Sequence, residues 1–230
     1  MLKKIMLSLC FAFASASSLF ALDKGALILY PQAGFGISGA YANAVSGGLL
    51  NSTLEDYYSG TTWEYKDAEM KPGISLNTGM GVDYMVTGFL ALTSGIFLDY
   101  ISFKVVYKSP SNPDAWSKFY FLYAGIPLGV RLYAGAFMAG CGLYITAPVL
   151  PCYSSKYGPD SNKGVLANSH PAAGFFIDAG LNFNTSDINN LMIFLRMRND
   201  YTYSYSSSDV VRNTRNWSLL LTAAYGFRVQ

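Results

Sequence analysis

The chain has 230 residues, 51% hydrophobic and 13% charged, with 18 Tyr, 15 Phe and 22 Gly. Its 16 basic residues against 14 acidic ones leave a formal charge of +2, a balance that implies no nucleic-acid partner. Beyond the N-terminal segment there is no unbroken apolar run of 18 or more residues, so the apolar surface must be satisfied by something other than a spanning helix.

The N-terminus reads Met1-Leu-Lys-Lys4, then apolar residues from Ile5 to Phe13, then Leu19-Phe20-Ala21. This is the order of a secretory signal. Residues 1–21 are expected to be removed, with Cys10, leaving a single domain over 22–230. Without Lys3 and Lys4 the 14 remaining basic residues equal the 14 acidic ones. Cys141 and Cys152 remain, too few for a disulfide framework in an exported protein.

Side chains of a strand alternate between two faces, and a barrel wall in lipid sets apolar residues against small or polar ones. The first such segment sets Leu27, Leu29, Ala33, Phe35 and Ile37 against Gln32, Gly34, Gly36 and Ser38. The second sets Ile74, Leu76, Met80, Val82 and Tyr84 against Ser75, Asn77, Gly79, Gly81 and Asp83, and the third Leu90, Leu92, Ile96 and Leu98 against Ala91, Thr93, Gly95 and Asp99. Segments four and five place Leu122 to Leu132 against Tyr123, Gly125, Pro127, Gly129 and Arg131, and Phe137 to Ile145 against Gly140, Gly142 and Tyr144. Segments six and seven run from Ala173 to Phe183 around inward Asp178, and from Leu191 to Met197 around Phe194, Arg196 and Arg198. The eighth sets Trp217 to Val229 against Ser218, Thr222, Ala224, Gly226 and Arg228.

Long connections are expected at 42–71, 107–117, 149–169 and 205–214, with short ones near Val86–Gly88, Tyr133–Gly135 and Asn184–Asn189. The pattern predicts an all-β fold, a membrane-spanning eight-stranded antiparallel up-and-down β-barrel with both ends on the short-turn, periplasmic side. The first strand must pair with the last, because an open edge in hydrocarbon leaves backbone groups unpaired. A soluble sandwich would carry a more charged outer face. A helix over the most apolar window, Ala124 to Leu150, would have to contain Pro127, Arg131 and five glycines.

Inward Asp83, Asp99 and Asp178 with Arg131, Arg196, Arg198 and Arg228 are expected to form an ion-pair network filling a narrow lumen. The longest connection carries Tyr57, Tyr58, Trp63 and Tyr65 among acidic residues, candidates for contact with an extracellular ligand or a host surface. His170 is the only histidine and Ser169 precedes it, but adjacent strand residues point to opposite faces and do not form a nucleophile and base. No catalytic, cofactor or metal-ligating set is expected.

Gly79-Met-Gly81-Val-Asp83-Tyr84, Gly125-Ile-Pro127-Leu-Gly129, Ala139-Gly-Cys-Gly142-Leu-Tyr144, Asp178-Ala-Gly180-Leu-Asn-Phe183 and Tyr225-Gly-Phe227 resemble the small outer-membrane β-barrel superfamily of OmpX- and OmpW-like proteins. The resemblance spans nearly the whole mature chain and implies the cell outer membrane of a diderm bacterium, with outer-membrane lipid as the surroundings. Thr222, Tyr225, Phe227 and Val229 are similar to the C-terminal signal read by the barrel-assembly machinery. Ala224 stands where glycine is usual, and the chain ends in Gln230. The expected function is a monomeric, non-enzymatic barrel with a filled lumen and surface-exposed loops. The alternatives are a narrow porin-like channel for small hydrophobic solutes, suggested by inward Phe97, Phe176 and Phe194, and a lipid-modifying enzyme.

Overall fold

A computed structural model describes residues 24–41, 52–55, 62–65, 67–108, 115–157, 160–166, 169–185, 189–204 and 214–229. The expected signal segment and Tyr57 and Tyr58 lie outside them. The strands are β1 (Leu27–Tyr41), β2 (Ser52–Glu55), β3 (Thr62–Tyr65), β4 (Asp67–Met85), β5 (Leu90–Lys108), β6 (Trp116–Ala134), β7 (Phe137–Tyr157), β8 (Asp160–Val165), β9 (Ala172–Asn184), β10 (Asn189–Asp200) and β11 (Arg215–Val229).

Eight of these close into an antiparallel ring in the order β1-β4-β5-β6-β7-β9-β10-β11. The seam joins the first strand to the last, with Leu29 opposite Phe227 and Ile37 opposite Leu219. Short turns at 86–89 and Gly135-Ala136 connect neighbours at the end where both termini lie. Gly135 takes a φ of 62° there, a left-handed conformation that glycine adopts without cost.

Alternation dictates the two faces. Phe35, Ile96, Leu128 and Ile145 are 64%, 66%, 67% and 65% exposed on the outside, and every strand of the ring contributes to the same belt. A continuous apolar surface of this extent is stable against lipid and not against water. The molecule is therefore a membrane-spanning eight-stranded β-barrel.

The strands are longer than a membrane needs. β4, β5 and β6 each have 19 residues and β7 has 21, about twice the 9–11 of a tilted spanning strand. The segments expected as connections over 42–71 and 149–169 are thus partly strand. β4 begins at Asp67, β2 and β3 form a hairpin, and β8 pairs with the end of β7. The cause is an inversion of pattern where the wall leaves the lipid. Beyond Tyr100 and Leu122 the outward residues turn polar, while inward positions become Phe103, Val105, Tyr107, Phe119 and Phe121, packed as an apolar cluster.

Two bulges accompany this transition. One lies between Pro72 and Ser75 of β4, where Ser102 Oγ accepts from the Ile74 N–H at 2.9 Å and Ser38 Oγ donates to the Ser102 carbonyl at 2.9 Å. The other lies opposite Leu122 and Tyr123 and shifts the parity of β7 after Pro148, so Pro151 and Tyr153 face Phe121 and Phe119.

Candidate functional site

Among the described residues, buried charged side chains converge in the lumen. Arg131 on β6 is fully buried and reaches two carboxylates on different strands. Its Nη1 donates to Asp83 Oδ2 at 2.7 Å and to Tyr30 Oη at 2.9 Å, and its Nη2 donates to Asp178 Oδ2 at 3.1 Å. Arg131, Gly140, Asp178 and Arg196 stand in one register row across β6, β7, β9 and β10. The absent side chain at Gly140 leaves the path along which the Arg131 guanidinium reaches Asp178.

Asp178 also receives Arg196, with Nε at 2.8 Å from Oδ1 and Nη2 at 2.8 Å from Oδ2. This two-pronged geometry suits guanidinium and carboxylate. Asp83 further accepts from Tyr30 at 3.0 Å and from the Tyr133 hydroxyl. Asp99 pairs with Arg198 and accepts from Asn77 Nδ2 at 2.5 Å.

β5 and β10 are four places apart in a ring of eight, so the Asp99–Arg198 pair joins opposite walls. A second link does the same between β6 and β11, where Asn216 Nδ2 donates to Tyr123 Oη at 3.2 Å. Asp200, buried at the end of β10, accepts from Tyr144 Oη at 2.6 Å and from the Asn216 N–H at 3.0 Å.

Aromatic rings hold the three guanidiniums. Arg131 lies over Tyr30 and Phe194, Arg196 over Phe176 and Phe194, and Arg198 over Phe97 and Tyr144, at 4.2 to 5.4 Å from the ring centroids. Stacking of this kind favours a desolvated cation. It also gives the inward phenylalanines a partner: Phe97, Phe176 and Phe194 each present a face to an arginine. Their rings have room because glycines stand beneath them. A Cβ at Gly125 would overlap the Phe97 ring, and one at Gly129 or Gly142 the Phe176 ring.

The structure therefore brings together Asp83, Asp178, Arg131 and Arg196, and separately Asp99 and Arg198. Arg228 is half-buried near the short-turn end, in the register row that runs through Ile28 on β1 to Asp83 on β4. Tyr30, Tyr133, Asn77, Tyr144 and Asp200 join these groups as hydrogen-bond partners beyond the expected set. Parity alone places Asp200 and Tyr30 inward, two positions beyond Arg198 and two before Gln32. Trp63 and Tyr65 lie in the β2–β3 hairpin.

Ser169 and His170 do not form a pair. The Ser169 hydroxyl is buried and without a hydrogen-bond partner, while exposed His170 uses its backbone N–H to reach the Ser204 carbonyl at 3.0 Å. Among the described residues no three His, Cys, Asp or Glu side chains gather as a metal site.

The solved structures this chain is similar to are outer-membrane β-barrels. Neisserial surface protein A is 14% identical, with 87% of this chain and 97% of that chain covered and a TM-score of 0.37. OprG from Pseudomonas aeruginosa is 11% identical over 91% and 98% of the two chains, with a TM-score of 0.41. The outer-membrane protease OmpT from Escherichia coli is 9% identical over 89% and 97%, with a TM-score of 0.42. No protein-family model and no curated protein matches the chain. The fold rests on the closed hydrogen-bond ladder and the lipid-facing belt rather than on these similarities.

Proposed function

We propose that this chain is a non-enzymatic, monomeric barrel of the outer membrane of a diderm bacterium, exported by its N-terminal signal. Its lumen is closed, and it acts through the part of the wall and the connections that stand beyond the lipid. β11, which closes the seam with β1, carries the terminal pattern that the assembly machinery reads.

The observation that carries this reading is the crossing of the lumen from opposite walls by Arg198–Asp99 and Asn216–Tyr123. A solute passing along the axis would have to break both links and then displace the stacked rings of Phe103, Phe119 and Phe121. Breaking one buried ion pair leaves an uncompensated charge, at a cost of about 3–5 kcal/mol. Planar-bilayer recording on the refolded full chain tests the proposal: it predicts no steady unitary conductance, and a stable single-channel step would overturn it.

A narrow channel is the second reading. It is favoured by the buried hydroxyls of Ser75, Ser218 and Thr222, which lack hydrogen-bond partners on the β4-β1-β11 wall and are suited to a file of water. The same recording separates the two.

A further inference from the structure

Outside the barrel, just beyond the apolar belt, lysines line up across adjacent strands. Lys71 on β4 stands directly opposite Lys104 on β5, and Lys104 opposite Lys118 on β6. Lys118 is paired with Ser154 on β7, and Ser154 with Lys163 on β8. Lys156 stands on the same face, opposite Trp116. Parity places the row outward, because the residues between, Met70, Phe103, Val105, Phe119 and Tyr153, belong to the inner apolar cluster.

Like charges on directly opposed strand positions repel, and here three meet in succession. None of the ion pairs among the described residues takes any of these lysines. The neighbouring acid on this face is Glu69, two residues beyond Lys71, and it is exposed and forms no pair with it. A protein with a formal charge of only +2 thus concentrates cations in one row.

The row follows the edge of the lipid-facing surface. Exposed Ile74, Leu98, Leu150 and Val165 and half-buried Leu122 are outward apolar residues before it on the same five strands, and Tyr100 and Tyr120 stand between, with ring centroids 6.4 Å apart. Such rings mark the depth of lipid headgroups. Lys104 Nζ lies 4.8 Å from the Trp116 ring and Lys118 Nζ 5.1 Å from the Tyr120 ring, so two of the ammoniums are held in place on the wall.

We propose that this row binds the phosphate groups of an anionic phosphorylated lipid in the leaflet at the long-connection end. The occupant must bring negative charge to headgroup depth while its acyl chains cover Leu98, Leu122 and Leu150, and a phosphorylated lipid does both. The inference rests on the membrane reading of the belt and not on closure of the lumen. A conducting barrel would overturn the closed-lumen reading and leave this one standing.

The test uses the full chain in phosphatidylcholine bilayers with and without diphosphoryl lipid A, labelled with an amine-acetylating reagent and read by mass spectrometry. Exposed Lys24, at the opposite end of the barrel, is the internal reference. Lys71, Lys104, Lys118 and Lys163 are expected to label several-fold more slowly relative to Lys24 when lipid A is present. Equal labelling would overturn the proposal, and so would equal protection by inorganic phosphate in phosphatidylcholine alone, which would mean a free-anion site. In K104Q/K118Q the lipid A retained after detergent extraction should fall about tenfold or more, with retention restored in K104R/K118R; undiminished retention in the glutamine variant would contradict the assignment.

Discussion

Arg198 on β10 and Asp99 on β5 meet across the barrel from strands that stand opposite one another in the ring. Few contacts in a small barrel report so directly on whether the inside is filled. Arg198 also lies between the rings of Phe97 and Tyr144, at 4.5 and 4.2 Å, so its position is set from three sides.

Replacing Arg198 by Met leaves Asp99 buried, with Asn77 as its remaining hydrogen-bond donor. The loss is expected to be about 3–5 kcal/mol, most of it recovered when Asp99→Asn is added. Urea unfolding in lipid vesicles, followed by gel mobility, measures both. Equal stability of the single and double variants would contradict the pairing.

Arg131→Met is expected to act unevenly on its two carboxylates. Asp178 keeps the two-pronged contact of Arg196, whereas Asp83 is left with the hydroxyls of Tyr30 and Tyr133. Asp83→Asn should therefore rescue Arg131→Met better than Asp178→Asn does, in the same unfolding measurement.

Gly142→Ala should destabilise the barrel by about 1–3 kcal/mol. The added methyl would meet the Leu128 carbonyl and the Gly129 Cα on the neighbouring strand as well as the Phe176 ring. Phe176→Leu in the same chain should restore part of the loss, since it removes one of the three overlaps. Thermal unfolding in detergent micelles reads the difference.

Leu128→Arg places a charge in the apolar belt and is expected to cost about 2–4 kcal/mol in bilayers. Leu128→Ala removes only apolar contact with lipid and should cost less than half as much. If the two variants folded equally well in vesicles, position 128 would face water.

Cys141 is exposed on the same belt while Cys152 is half-buried beyond it. In bilayers Cys141 should resist a water-soluble maleimide until the chain is unfolded, as read by the mass of labelled protein. Rapid labelling of folded Cys141 would contradict immersion of that face.

The wall in lipid was legible because the solvent there is apolar. From Ile74 to Tyr84 or Leu122 to Leu132, alternate residues had to be apolar, and the faces follow from parity. Above the lipid that constraint disappears. Lys104, Lys118 and Ser154 face outward while Phe103, Phe119 and Phe121 turn inward, so strand there resembles connection by the same rule. Charges in the lumen were legible as inward residues, but their partners were not. Which aspartate meets which arginine depends on ring order and on gaps such as Gly140, neither of which is local. Tyr30, Tyr133 and Asp200 escaped because a tyrosine or a strand-end carboxylate carries no pattern that separates a lumen partner from a rim residue.

Closure of the ring between β1 and β11 can be read from a cross-link at the seam. Ala33 and Ala223 are register partners on the lipid face, at a separation a disulfide can span. In a chain lacking Cys141 and Cys152, with Ala33→Cys and Ala223→Cys, oxidation of the folded protein should join the two strands and give a compact, boiling-resistant species that reductant abolishes. Absence of the cross-link in a folded, strand-rich sample would contradict the closed barrel.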